Sequence, residues 1–310
     1  FMNIMLANLS RVKNISKVNY NCRIDEIDSK IEGIQTNEAA AKFFIEMLNN
    51  NNSRLDKIIC ITTTEAKEEF YIDASGKVIY IDEEHKENPL KINPSDKYTT
   101  ISFFEKRIKN YCKERGIRSP RFSYIEIKEE IIPSDLINEI ENNKNPNIYL
   151  DTTGGRRSEI NRLQLIVKFL EYRSVKIKMA VYSNFTGINS DKNYIETTDI
   201  YELLNVLEGI SQFTDSGQSR ILTRAFKNDK VLDSLLKKMN EFTESLQLCQ
   251  THRLGTIFNE ITEELSNAES NIQDINNRLV IFRQFIPLIK EKFTGTDSYL
   301  GIIEWCMKNN

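Results

Sequence analysis

Residues 148–160 of the chain are Ile-Tyr-Leu-Asp-Thr-Thr-Gly-Gly-Arg-Arg-Ser-Glu-Ile. The stretch starts with strand-forming residues up to Asp151, continues with two glycines, and ends in the first turn of a predicted amphipathic helix. Glycine accepts a positive φ, so the turn can direct its N–H groups into a concave nest. The free N–H groups of the helix and the side chains of Arg156 and Arg157 add positive charge. The stretch therefore predicts a phosphate-binding turn between a buried strand and a helix.

This turn differs from the common nucleotide-binding motifs. It lacks the second spaced glycine and the Lys-Ser/Thr pair of a P-loop, and the chain has no G-x-G-x-x-G sequence. A dinucleotide oxidoreductase is not expected, and no cofactor is predicted. The alternative to a phosphate site is a tight turn whose arginines face solvent.

Strand and helix patterns alternate along the first 200 residues. The predicted strands are residues 3–9, 57–62, 121–127, 147–150 and 176–182, and the predicted helices are 36–48, 99–114, 133–142 and 158–173. This alternation predicts an α/β fold, a Rossmann-like parallel sheet flanked by helices. Residues 18–34 alternate polar and apolar side chains around turn formers, which predicts a β-hairpin insertion.

Three polar loops should meet at one edge of this sheet. In open parallel sheets, ligands bind beyond the carboxyl ends of the strands, where the strand order reverses. The loops expected there are residues 9–11, 62–65 and 152–156. The predicted ligand-binding residues are Ser10, Arg11, Thr62, Thr63, Thr152, Thr153, Gly154, Gly155, Arg156 and Arg157.

Several of these residues also have a structural interpretation. Arg11 can be a solvated loop charge, and threonines often end strands to form local hydrogen bonds. Asp151 is expected to orient the turn, since a carboxylate beside a bound phosphate is repulsive. Asn37 and Glu38 are expected to cap the first helix.

From about Ile200 the pattern is helical only. Apolar residues recur at alternating steps of four and three between Leu232 and Leu246, and again between Leu254 and Ile286. Such a seam predicts long packed helices, either inside one chain or between two subunits. We therefore predict two domains: residues 2–200 form a ligand-sensing domain, and residues 201–310 form a helical linker or dimerisation region.

Composition limits the class of protein further. The chain has 310 residues, 40% of them hydrophobic and 28% charged, and a net charge of −3. A negative net charge argues against binding long nucleic acid, which needs a broad basic face. No apolar run of about 18 residues and no signal peptide are present, so a cytoplasmic protein without membrane contact is expected. The five cysteines are widely spaced and the two histidines form no ligand pattern, so reduced thiols and no metal are expected.

Residues 148–158 resemble the fourth-strand signature of CRISPR-associated Rossmann-fold (CARF) domains, in which an Asp-x-Thr-Gly-Gly or similar turn precedes a helix. Residues 9–11 match the position of the other ligand-facing motif of that family, at the end of the first strand. Residues 299–306 resemble the helical region of CARF effectors that continue into a HEPN nuclease, and they begin a helix that has no cap.

The resemblance implies a homodimer that binds a cyclic oligoadenylate produced by a type III CRISPR complex. By position, Ser10 and Arg11 would contact the ring, and residues 152–157 would hold its phosphates. A ring with an even number of adenosines, such as cyclic tetra- or hexa-adenylate, can share the two-fold axis of a dimer. The Arg–His signature of a HEPN ribonuclease is missing from this chain. Either the nuclease domain lies beyond Asn310, or the effector is of another kind.

Three functions remain open from the sequence. The first is a sensor that controls an attached effector, such as a ribonuclease. The second is an enzyme, a ring nuclease that cleaves its ligand by aligning a 2′-hydroxyl with the adjacent phosphate. The third is a ligand-responsive transcription regulator, which would need a basic recognition helix that the sequence lacks.

Overall fold

The computed structural model of the protein describes residues 1–9, 11–24, 27–81, 97–127, 132–143, 145–154, 157–173, 175–184, 192–272 and 277–292. The chain divides into two compact units, Phe1–Thr198 and Asp199–Asn310. The first unit contains the strands, and the described part of the second contains helices only.

The first unit alternates strands and helices. Its strands are β1 (Met2–Asn8), β2 (Val18–Ile24), β3 (Ile27–Gly33), β4 (Lys57–Thr62), β5 (Glu69–Ile72), β6 (Val78–Tyr80), β7 (Lys97–Thr99), β8 (Arg121–Glu126), β9 (Pro146–Asp151), β10 (Lys176–Asn184) and β11 (Lys192–Glu196). Its helices are α1 (Thr36–Asn50), α2 (Thr100–Glu114), α3 (Ser134–Glu141) and α4 (Arg157–Tyr172), with a short 3₁₀ helix at Thr64–Lys67. The helices that follow are α5 (Thr198–Ser216), α6 (Arg220–Ala225), α7 (Asp233–Gln247), α8 (Thr251–Asn271) and α9 (Asn277–Lys292).

Eight strands form the main sheet, in the order β3-β2-β11-β10-β9-β1-β4-β8. The five strands from β10 to β8 are parallel to one another. Ile4, Met5, Leu6 and Ala7 of β1 are fully buried, as expected for a central strand covered by helices on both faces. This confirms the predicted Rossmann-like sheet flanked by helices.

The direction in which strands are added to the sheet changes once. After β1 the chain places β4 and then β8 on one side, and afterwards β9 and then β10 on the other side. The strand order therefore reverses between β1 and β9. In open parallel sheets this reversal leaves a crevice beyond the carboxyl ends of the two strands, because the connections leave them in opposite directions.

The predicted hairpin is present as β2 and β3, which pair antiparallel. It joins the parallel strands through β11, which is antiparallel to β10 and parallel to β2. Sequence analysis missed β11. Among the residues of this strand whose side chains are described, 193–196, only Tyr194 is buried, and the sequence Lys-Asn-Tyr-Ile-Glu shows little hydrophobic signal.

A second sheet of three short strands, ordered β6-β5-β7, follows β4. Phe70 of β5 is its buried centre and contacts the rings of Tyr80, Tyr98 and Phe103. The Tyr80 hydroxyl donates a 2.7 Å hydrogen bond to the carbonyl of Val12. The small sheet therefore fixes the loop that leaves β1.

The first residues of α5 are tied to β10. The Thr197 N–H donates to the Ala180 carbonyl at 2.7 Å, and the Ala180 N–H donates to the Thr198 hydroxyl at 2.9 Å. The helix therefore starts from a fixed point on the strand.

The apolar seam of the helical region lies inside one chain. Leu246 of the seam is partly buried and packs against one hydrophobic cluster, in which the other described seam residues are buried: Leu232, Leu235, Met239, Phe242, Leu254, Phe258, Ile261, Leu265, Ala268, Ile272, Leu279, Phe282 and Ile286. Ile275, which belongs to the same pattern, is outside the described residues. Of the two alternatives left open by the sequence, the intramolecular core is the one observed.

Gly209 allows two helices of this cluster to approach closely. A Cβ atom added to Gly209 of α5 would lie 2.8 Å from the backbone nitrogen of Leu222 in α6. Alanine normally stabilises a helix relative to glycine by about 1 kcal/mol, but this contact cannot be relieved without moving α6.

We expect Gly209→Ala to destabilise the helical unit by about 1–3 kcal/mol, the usual cost of overpacking a core. Urea unfolding followed by circular dichroism measures the change. Ser211→Ala, on an exposed position of the same helix, is the control and should change stability by less than about 0.5 kcal/mol. A stabilised Gly209→Ala variant would contradict the close approach.

Candidate functional site at the strand-order reversal

The loops after β1 and β9 leave the sheet side by side. Ala7 of β1 is paired in register with Asp151 of β9, so the residues that follow each of them meet at the same edge. The loop after β1 is also tied to β4, because the Leu9 N–H donates to the Ile61 carbonyl at 2.9 Å. The structure thus places side by side the carboxyl ends of β4, β1 and β9, from which the three predicted loops leave.

Asp151 is fully buried and orients the turn after β9. Its Oδ1 accepts a 2.9 Å hydrogen bond from the Thr153 N–H, and its Oδ2 accepts one of 2.7 Å from Nδ2 of Asn37. Burial raises the pKa of the carboxyl group above its ordinary value, although the hydrogen bonds from Thr153 and Asn37 oppose that shift. These contacts confirm the structural role predicted for Asp151.

The two threonines of the turn are bonded to β10. Thr152 donates both its N–H, at 3.0 Å, and its hydroxyl, at 3.1 Å, to the Val181 carbonyl. The Thr153 hydroxyl accepts from the Ser183 N–H at 2.9 Å. The beginning of the turn is therefore held rigidly against the neighbouring strand, and both hydroxyl groups already have a partner in the protein.

The rest of the predicted nest is described only in part. Gly154 is buried, and α4 begins at Arg157, directly behind the turn. Ser10, Gly155 and Arg156 lie outside the described residues, as does the side chain of Arg157. Phosphate binding by these residues remains a prediction.

Asn8, the last residue of β1, was missed by sequence analysis. It is 3% exposed, and neither Oδ1 nor Nδ2 of its side chain has a hydrogen-bond partner. Side chains alternate along a strand. Ala7 packs in the core that contains α1, so Asn8 faces the opposite side of the sheet, toward α4. The available signal was a single polar residue inside the apolar run of residues 4–9.

An unpartnered buried amide is uncommon in folded proteins. Leaving such a group without a hydrogen bond costs about 1–3 kcal/mol. Costs of this kind concentrate at functional sites, where a ligand supplies the missing partner. The position of Asn8 at the strand-order reversal therefore marks it as a candidate ligand contact.

The loop after β4 is engaged mainly in local contacts. Thr62 is 1% exposed, and its hydroxyl donates to the Ile125 carbonyl of β8 at 3.4 Å. Thr63 is half-buried and precedes the 3₁₀ helix. The Thr64 hydroxyl donates to Glu126 at 3.1 Å. Ligand contacts by Thr62 and Thr63 stay predictions.

Arg11 is paired with other side chains rather than surrounded by water alone. Its Nη2 lies 2.6 Å from Oε2 of Glu68, and its guanidinium carbon lies 3.6 Å from the centre of the Tyr80 ring. The structure therefore fixes its guanidinium group beside the loop that leaves β1.

Asn37 and Glu38 make tertiary contacts, and Oε2 of Glu38 also accepts a 3.0 Å hydrogen bond from the Ile34 N–H, just before α1. The N-cap residue is Gln35, with no side-chain capping bond. Glu38 is fully buried. It accepts two hydrogen bonds from Arg107, at 2.9 and 2.7 Å, and Nζ of Lys42 lies 2.6 Å from its Oε1. Burial alone would raise the pKa of Glu38, but Arg107 and Lys42 outweigh it and lower the pKa. The predicted role at the start of α1 is thus met in part by Glu38, which also belongs to a buried ion cluster, whereas Asn37 is bonded to Asp151.

Among the described residues, no group of His, Cys, Asp and Glu could hold a metal ion. Within the same part of the chain, no helix has the length and hydrophobicity needed to cross a membrane.

The raised pKa of Asp151 predicts a pH-dependent change in stability. The folded state binds a proton on this group more tightly than the unfolded state, whose pKa is near the ordinary value of 3.8. The stabilisation from Asp151 is complete below that value and decreases as the pH rises toward the folded-state pKa. Glu38, whose pKa is lowered, acts in the opposite direction, so the effect must be isolated by a variant.

We expect Asp151→Asn to gain stability relative to the unmodified protein as the pH rises, because the amide carries no charge to bury. The gain should not exceed about 1.4 kcal/mol per pH unit. Urea unfolding of both proteins between about pH 4 and pH 8 measures it. A difference that stays constant with pH would mean that Asp151 titrates normally.

The chain is similar in sequence to a known CRISPR-associated protein. No family model matches the chain. A CRISPR-associated protein of Methanocaldococcus jannaschii is 23% identical over 297 residues, which cover 88% of this chain and 44% of the relative. The chain thus spans less than half the length of the curated relative it matches.

Among solved structures, Enterococcus italicus Csm6 bound to cyclic hexa-2′-fluoro-hexa-dAMP aligns with a TM-score of 0.39 and 9% identity, covering 87% of this chain and 60% of that chain. A TM-score this low does not establish a shared fold. The sequence match does confirm the family resemblance inferred from residues 9–11 and 148–158: along most of its length, the chain resembles a CRISPR-associated protein.

Proposed function

We propose that the first unit is a sensor of type III CRISPR defence that binds a cyclic oligoadenylate, a ring of four or six adenosines, between two copies of the chain. The observation that carries the proposal is the buried, unpartnered amide of Asn8, at the strand-order reversal and beside the Thr-Thr-Gly-Gly turn.

The amide has the chemistry that a nucleotide ring requires. Its oxygen accepts one hydrogen bond and its nitrogen donates two, so it suits hydroxyl groups, base edges and phosphate oxygens. Because β1 and β9 are in register, a ligand that satisfies Asn8 also lies against the turn that starts at Thr152. The start of α4 behind that turn offers free N–H groups to a phosphate.

The charge of the protein favours a small polyanion over a long one. A net charge of −3 opposes a broad electrostatic attraction to RNA or DNA. Attraction must come from local groups, and Arg156 and Arg157 are the two that the turn supplies. The resemblance to CRISPR-associated proteins, and the 23% identical relative, make a cyclic oligoadenylate the ligand of choice.

Exposed apolar side chains support pairing of two copies. Tyr182 of β10 and Ile195 of β11 are 42% and 44% exposed and are directly opposite each other in register. Leu165 and Tyr172 of α4 are also exposed. Tyr182 follows Val181, whose carbonyl holds Thr152. An apolar surface thus begins beside the candidate site, where a second copy would bring its own turn to the same ring.

In this proposal, ligand binding is passed on through β10. The turn is bonded to Val181, and the preceding residue in the strand, Ala180, is bonded to Thr197, just before α5, and to Thr198, its first residue. A ring that favours one position of the turn would favour one position of this helix start. The output is an attached effector, a ribonuclease in the family that the sequence resembles.

Isothermal titration calorimetry with cyclic tetra-adenylate and cyclic hexa-adenylate tests the proposal. We expect one of the two rings to bind, with one ring for every two chains. Chromatography of the ligand after incubation then separates a sensor, which leaves the ring intact, from a ring nuclease, which yields linear products. Failure of both rings to bind would end the proposal.

Replacing Arg156 or Arg157 by alanine should weaken ring binding. Each change removes a charged hydrogen-bonding group worth about 1.5–3 kcal/mol, which is about a 10- to 150-fold loss of affinity. Arg118→Ala is the control, because it removes the same charge from an exposed position close to the amino end of β8. Equal affinity in all three variants would remove the arginines from the site.

Asn8→Leu should have opposite effects on stability and on binding. Leucine has the same branching and no polar atoms, so it removes the cost of an unpartnered amide and should raise stability by about 1 kcal/mol. Ring binding should fall by about tenfold or more.

Asn3→Leu is the matched control at the other end of β1. The side chain of Asn3 is also buried, but it donates to Ser53 and Arg54 and accepts from Asn147. This variant should lose stability and keep its affinity for the ring. An Asn8→Leu protein that binds the ring normally would show that the amide is not a ligand contact.

A further inference from the structure

The side chain of Arg11 is arranged in a way that suits a base better than a phosphate. Arg11, Glu68 and Tyr80, which we call the Arg11 cluster, lie next to the carboxyl ends of β1 and β4. Glu68 follows the 3₁₀ helix after β4, and the Tyr80 hydroxyl anchors the loop through the carbonyl of Val12.

The positive charge of Arg11 has a negatively charged partner in the protein. Nη2 of Arg11 lies 2.6 Å from the carboxylate of Glu68, so the positive charge is largely neutralised by a fixed partner. A phosphate approaching Arg11 would meet the Glu68 carboxylate as well, and like charges at that range repel. Arg11 is therefore a poor source of electrostatic attraction for a polyanion.

The guanidinium group of Arg11 lies over an aromatic ring. The guanidinium carbon lies 3.6 Å from the centre of the Tyr80 ring, which is stacking distance for a planar cation on an aromatic face. Tyr80 in turn packs on the buried ring of Phe70, with centroids 5.3 Å apart. The guanidinium plane is thus held from behind by an aromatic ring and from the side by a carboxylate.

A ligand would contact the face of the guanidinium plane that points away from Tyr80. The Arg11 side chain is 37% exposed, and within the described residues no second aromatic ring lies over it. Nucleic-acid-binding proteins stack unpaired bases on arginine planes as well as on aromatic rings. A fixed, neutralised and partly exposed guanidinium plane has the form of such a platform.

We propose that Arg11 is a stacking platform for an adenine base of the ligand, backed by Tyr80 and fixed by Glu68, and that it does not bind phosphate. The inference rests on the proposed function and adds a residue that contacts a base of the ring. Stacking of one base is worth about 1–3 kcal/mol, which is about a 5- to 150-fold effect on affinity.

Arg11→Lys tests the platform, because lysine keeps the charge and the pairing with Glu68 but has no plane. We expect about a tenfold loss of affinity for the adenylate ring that the unmodified protein binds, measured by calorimetry. An Arg11→Lys protein that keeps its affinity within about twofold would overturn the platform.

A second pair of variants separates the ring behind Arg11 from the general packing of the small sheet. Tyr80→Leu should lose affinity by about fivefold or more, because the guanidinium loses its support. Tyr98→Leu is the matched control, since Tyr98 also packs on Phe70, and it should bind as the unmodified protein does. Equal affinities of these two variants would overturn the role of Tyr80.

The two levels of the hypothesis fail in different ways. If the unmodified protein binds neither ring, the proposed function fails and this inference fails with it. If the unmodified protein binds a ring and Arg11→Lys binds it equally well, the sensor stands and only the platform is wrong.

Discussion

The parallel pairing of β1 with β9 is the constraint on which the candidate site depends. In register, Ala7 lies beside Asp151, and the strand order reverses between these two strands. Two polar groups then end up on opposite faces of the same sheet edge. Asp151 is directed to the helix α1, where Asn37 holds it, and Asn8 is directed to the side of α4. A shift of the register by one residue would exchange these faces, so the apolar strand cores fix the polar chemistry at their ends.

The two groups differ in how the fold accommodates them. Asp151 is buried but accepts two hydrogen bonds. The free-energy cost of burying it therefore comes from its negative charge and appears as a raised pKa. Asn8 is uncharged and has no partner, so its cost is present at every pH. A carboxylate that shapes a turn is compatible with stability alone. A buried amide with no partner does not stabilise the fold. It is therefore the stronger indication of a ligand.

Much of the fold followed from local patterns in the sequence. The strand predicted at residues 57–62 has those bounds, and the hairpin and the three converging loops were also predicted, because each depends on hydrophobic runs and turn formers close in the chain. The features that were missed depend on distant partners. The contact of Arg11 with Tyr80 spans 69 positions and that of Asn37 with Asp151 spans 114, and β11 is a polar strand supported by its neighbours. That Asn8 has no partner is likewise a property of the packed structure, which a single polar letter in an apolar run does not reveal.

The attachment of α5 to β10 has a further consequence. The hydrogen bonds that link the turn to β10 and β10 to the helix start use main-chain groups of β10: the Val181 carbonyl, the Ser183 N–H, the Ala180 carbonyl and the Ala180 N–H. The side chains of Ala180 and Val181 thus take no part in these hydrogen bonds. In the proposed sensor, substitutions at Ala180 and Val181 that preserve the packing would leave these hydrogen bonds intact, so the strand can adapt to different core residues without losing them.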